Sequence, residues 1–100
     1  MSEAPRGALL RELKGRAQRL DPVVWVGKAG ASDAFYAALD QALRDHELVK
    51  VKFDGFKDQK KVMAPEIAER SGSHMIMRVG NVLVLYRANE VEEEQDYGDE

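Results

Sequence analysis

Apolar positions along this chain recur first at helical and then at strand spacing, and the alternation lays out its elements. Leu9, Leu10, Leu13, Ala17 and Leu20 fall on one side of a helix over about residues 6–19, with Arg11, Lys14 and Gln18 opposite. Asp21-Pro22 ends it, because a proline pushes the residue before it away from helical angles. The apolar run of residues 23–26, "VVWV", predicts a buried strand that places Trp25 in the core. Ser32 or Asp33 can cap the next helix, whose Phe35, Ala38, Leu39, Ala42 and Leu43 form an apolar face up to about Asp45. "LVKVKF", residues 48–53, alternates with a period of two: Val49, Val51 and Phe53 to one side, Lys50 and Lys52 to the other.

After a turn at Asp54-Gly55, a third helix is expected in much of residues 57–71, with Val62, Met63, Ile67 and Ala68 inward. Pro65 either kinks that helix or starts a shorter one, and Gly72 stops it. "HMIMRV" and "VLVLYR", the second containing Tyr86 as a core residue, form a hairpin across Gly80-Asn81. The reading is a single α/β domain of order α-β-α-β-α-β-β. Strands joined through helices favour parallel pairing and the hairpin is antiparallel, so its four-stranded sheet is mixed.

Charge alters this picture at one end. The chain has 100 residues and a formal net charge of −3, yet Asn89 to Glu100 holds seven acidic residues and no basic ones. With those set aside, 11 of the 18 acidic residues remain against 15 Lys and Arg, about +4. The expected organisation is therefore a folded domain over 1–88 and a disordered acidic tail over 89–100. Cysteine is absent, which excludes disulfide and thiolate chemistry and suits a reducing compartment. With no long apolar run and no secretory leader in view, a cytoplasmic protein without membrane contact is expected.

The strand-to-helix connection reads Gly27-Lys28-Ala29-Gly30. It is not a nucleotide-binding P-loop: Pro22 stands where the first glycine is needed and Ala29 where Ser or Thr must follow the lysine. It is not a dinucleotide fingerprint either, since Ala29 replaces the second glycine. His46-Glu47 opens a metalloprotease-like pattern, but Lys50 stands where its second histidine belongs. Two histidines and no cysteine leave almost nothing for a zinc site, and serines 32, 71 and 73 fall at caps and turns, without a base. No enzyme, metal, cofactor or small-molecule substrate is expected.

What the loop can do is hold phosphate. Glycines 27 and 30 permit positive φ and close approach of a ligand, Lys28 adds charge, and the following helix start offers unpaired N–H groups. KH modules clamp a nucleic-acid backbone with a comparable Gly-x-x-Gly turn. Arg11 and Lys14 on the first helix, Lys28 on the loop and Lys50 and Lys52 on the strand can join into one basic strip. The aromatic-rich strand motif of an RRM is missing.

"LKGRAQRLDPVVWVGKAGAS", "ALRDHELVKVKF" and "VGNVLVLYR", in that order across residues 9–87, resemble the signature stretches of the CRM domain, the RNA-binding module of YhbY-type ribosome-assembly proteins. The resemblance implies a fold similar to the C-terminal domain of translation initiation factor three, with helices packed on the sheet. It also implies binding to structured ribosomal RNA in precursor large-subunit particles; in plants the module serves intron-splicing factors. Residue by residue, the family's loop falls on Gly27, Lys28 and Gly30, its strand entry on His46 through Lys52, and its basic first helix on Arg11 and Lys14. Gln18, Asp21 and Ala31 depart from the histidine, lysine and leucine common in the family, which bears on affinity rather than on fold.

The candidate RNA-binding set is thus Arg11, Lys14, Gly27, Lys28, Ala29, Gly30, Lys50 and Lys52, in a protein expected to act as a monomer. The rival reading is a protein-interaction adaptor that uses the same strip and the acidic tail. A nucleotide-handling enzyme is remote, because both nucleotide-loop patterns fail.

Overall fold

In the computed structural model, residues 3–55 and 59–89 are described. They form α1 (Gly7–Ala17), β1 (Val24–Val26), α2 (Asp33–His46), β2 (Leu48–Phe53), α3 (Lys60–Ser71), β3 (His74–Val79) and β4 (Val82–Tyr86). The sheet runs β1-β2-β4-β3, with β1 and β2 parallel and the other two pairs antiparallel. It is the mixed four-stranded sheet the sequence predicts.

Strand alternation then sorts the core into two layers. Val24 and Val26, Val49, Val51 and Phe53, and Leu83 and Leu85 face α2 and α3, where they meet Phe35, Leu39, Leu43, Ala64 and Ile67. Leu48, Val84 and Ile76 face the other way, onto Leu13 and Ala17 of α1, with Tyr86 packed at the margin. On this second face α1 lies over β2 and β3. A bulge between Met75 and Met77 shifts the register of β3 against β4.

The ends of the helices follow their residues. Ser32 caps α2, its Oγ accepting the Phe35 N–H at 3.2 Å. Gly72 ends α3 at φ +70, in the left-handed conformation that glycine adopts freely. Pro65 is inside α3, so that helix does not begin there. Residues 57 and 58, where α3 was expected to start, and residues 90–100 of the expected tail lie outside the described residues. Serines 71 and 73 hydrogen-bond each other, at 2.7 Å between hydroxyls.

Several positions read as inward are not: Val62 is 72% and Leu9 42% exposed, and Ala38 is exposed as well. Val62 falls on the outer side of α3 because Ala64, Ile67 and Ala68 carry its contact with the sheet, and helical spacing then turns position 62 away. Tyr36 of α2, packed against the edge of this core, meets Phe35 edge-on and lies beneath Arg70 of α3, whose guanidinium carbon is 4.3 Å from the ring centre. Burial pushes the Tyr36 hydroxyl above its ordinary pKa, against the opposing pull of Arg70.

Candidate nucleic-acid interface

Because β1 and β2 are parallel and Val26 is in register with Phe53, both strands deliver their last residues to the same end of the sheet. The chain leaves β1 through a turn closed by the Gly30 N–H donating to the Gly27 carbonyl at 2.9 Å. Lys28 and Ala29 occupy the exposed centre of that turn.

The two glycines of the loop play different parts. Gly30 has φ +75 and needs its missing side chain for the backbone to turn. Gly27 does not have a positive φ, contrary to expectation, and a Cβ built there meets nothing within 4 Å. The turn therefore places no demand for glycine at 27. What the bare Cα provides is open space beside Lys28.

The helix start beyond the loop is less open to an anion than the sequence suggested. Ser32 already takes one of its amides, and Asp33 places a carboxylate in the first turn, where the helix dipole would otherwise favour negative ligands. Positive charge at this corner comes from side chains instead: Lys28 on the turn and Lys52, exposed near the end of β2.

The apolar run of β1 predicts Trp25 in the core, but its side chain is 55% exposed, between the buried Val24 and Val26. Its side of β1 is the side on which α1 packs, and α1 reaches β2 and β3 without covering this edge strand. Four consecutive apolar residues read as a strand covered twice; here only one cover exists. Trp25 is instead in register with Lys52, which is in register with Val82, which pairs with Val79. That row crosses all four strands at the end of the sheet nearest the loop.

Lys50 is partly buried one step back along β2. It lines an open cavity of about 280 Å³ together with Arg16, Asp21, Val23 and His46, where the end of α1 passes the start of β2. Arg16 was not singled out in the sequence, although it falls three residues beyond the buried Leu13 and so on a flank of the packed stripe. Arg11 and Lys14 are exposed on α1, three apart and therefore neighbours. At about 100° per residue, Lys14 lies roughly 200° around the helix from Arg16. Lys50 thus shares a cavity with Arg16 near the start of β2, Lys28 and Lys52 are at the loop end of the sheet, and Arg11 and Lys14 are exposed on another side of α1.

Two further cations belong to the fold. Lys60 is buried and donates to the Asn81 side chain in the β3–β4 turn. Arg87, at the end of the "VLVLYR" stretch, is turned inward on α2 and α3. Among the described residues, no group of three or more His, Asp or Glu side chains could hold a metal ion, and no helix is long and apolar enough to cross a membrane.

The result is a three-layer α/β domain with a Gly-x-x-Gly turn at one end of its mixed sheet and Lys28 and Lys52 at that end. The chain belongs to the CRS1 / YhbY (CRM) domain family, whose model matches residues 6–87. It is 37% identical over 79 residues to a Haemophilus influenzae protein named "RNA-binding protein", covering 78% of this chain and 80% of that one. A Bacillus subtilis relative, "Probable RNA-binding protein YqeI", is 32% identical over 82 residues, or 81% and 85% of the two chains. The solution structure of a Staphylococcus aureus protein superposes with a TM-score of 0.70 at 30% identity, over 81% of this chain and 85% of that one.

Proposed function

We propose that this chain is a non-catalytic RNA-binding protein that engages structured ribosomal RNA in precursors of the large ribosomal subunit, as a monomer in the cytoplasm. The observation that carries the reading is the glycine at position 27, which the turn does not require and which leaves room for a phosphate beside Lys28. Family membership and the names of the relatives support RNA as the ligand. The assignment to large-subunit assembly rests on the likeness to YhbY-type proteins.

Lys28 and Lys52 grip the backbone at the loop corner, Lys50 extends that grip along β2, and Arg11 and Lys14 contact a second phosphate track across α1. Phosphate contacts of this kind fix position, so the shape of the RNA outweighs its sequence. Sedimentation of cell extract tests the reading. Co-migration with large-subunit precursors that is abolished by ribonuclease supports it, and crosslinking followed by sequencing of the attached RNA identifies the element. Association that resists ribonuclease would favour a protein-interaction adaptor instead.

A further inference from the structure

Trp25 has no role in the core and none in a backbone grip. It stands 55% exposed on an edge strand, with Val23, 46% exposed, two residues before it on the same face. Lys52 is its register partner on β2, about 4.8 Å away across the strands. Lys28 follows three residues later, at most about 11 Å along the chain. An exposed planar apolar surface therefore has two cations close by, one beside it on β2 and one a few residues along the chain.

We infer that Trp25 is the stacking platform for an unpaired RNA base, held while Lys28 and Lys52 take the phosphates on either side of it. This rests on the RNA-binding reading and adds a second kind of contact, to a base rather than to the backbone. The chemistry of the border selects the occupant. Lysine is depleted at the centres of protein–protein interfaces, whereas an aromatic face within a positive groove is how single-stranded nucleic acid is commonly held. The same lysines disfavour a second copy of the chain, which would bring like charges together around the two indoles.

Trp25 is the sole tryptophan, so its emission reports on this site alone. The probes are an RNA stem-loop with an unpaired loop and a fully paired duplex of the same stem, with affinity measured separately by electrophoretic mobility. Expected is quenching of Trp25 emission by the stem-loop and little by the duplex. Trp25→Ala should weaken stem-loop binding about tenfold and Trp25→Phe should restore most of it, in keeping with the usual size of a base–aromatic stack.

Stem-loop binding with unchanged emission and equal affinity for Trp25→Ala would overturn the inference and leave RNA binding standing. Equal quenching by stem-loop and duplex would overturn the requirement for an unpaired base. An emission change that tracks protein concentration without RNA would assign Trp25 to self-association and overturn the proposal. Failure of the wild-type chain to bind either probe or precursor particles would remove the RNA-binding reading and this inference with it.

Discussion

Arg87 and Asp40 meet twice: the guanidinium lies 3.0 Å from the Asp40 carboxylate and also donates to the Asp40 backbone carbonyl at 3.3 Å. A third bond from the same guanidinium reaches the Ser71 carbonyl at 2.8 Å, so one side chain at the end of β4 ties α2 to the end of α3. The planar fork of arginine makes this possible where lysine would offer a single point. Arg87→Met should lower stability by about 2 kcal/mol in urea unfolding, the scale of charge-assisted bonds lost from a partly buried site. RNA affinity of the folded variant should be unchanged, which separates Arg87 from the proposed interface.

The loop glycines give a sharper separation. Gly30→Ala should cost about 1 kcal/mol, because alanine resists the positive φ there. Gly27→Ala should leave stability within about 0.5 kcal/mol, or raise it slightly by stiffening the unfolded chain. Its RNA affinity should nevertheless fall. Thermal melts and mobility shifts on the two variants check both halves, and undiminished binding by Gly27→Ala would count against phosphate contact at the loop.

Glu47 holds a strained backbone at φ 64, ψ −42 where α2 gives way to β2. Its carbonyl accepts the Arg87 N–H at 2.9 Å and its carboxylate accepts the Asn89 N–H at 2.8 Å. Glu47→Ala loses the carboxylate and keeps the strain, whereas Glu47→Gly loses the carboxylate and relieves it. The glycine variant should therefore be the more stable of the two by about 1 kcal/mol, measured by denaturant midpoints at equal slope.

Salt dependence should count the cations that are free to meet phosphate. Lys60 and Arg87 are committed to internal partners, and of the other cations Arg11, Lys14, Arg16, Lys28, Lys50 and Lys52 are the candidates for the interface. If four to six of them neutralise phosphates, log affinity should fall with log salt at a slope of about −3 to −5. A slope near zero would be incompatible with a grip on the backbone.

The residues after Asn89 carry seven acidic side chains and no basic ones. Deleting residues 90–100 should tighten RNA binding at low salt by removing an internal competitor for the same lysines, and the gain should vanish as salt screens both. Equal affinity of the shortened and full chains at low salt would rule out competition.

How far the sequence led depends on which face of an element is asked about. The alternation of "LVKVKF" fixed both the strand and the side on which Lys50 and Lys52 lie, since period two leaves no other choice. Ser32 and Gly72 marked helix ends through side-chain and backbone chemistry that acts locally. Trp25 could not be placed this way. Its exposure depends on α1 stopping short of the edge strand, a tertiary relationship that no local period encodes. Arg16 was missed for a related reason: a flank position becomes part of a cavity only once the start of β2 is beside it. Gly27 and Gly30 look alike in sequence, and only the dihedral angles tell them apart.

The grip of Glu47 on Asn89 also fixes the side of the sheet at which the chain leaves the described domain. Asn89 is fastened beside the first residue of β2, while the loop corner lies past its last, about 17 Å further along the strand. Residue 89 thus leaves the described domain at the opposite pole from the lysine-rich corner, so whatever follows it in the chain must travel the length of the sheet before it can meet those lysines.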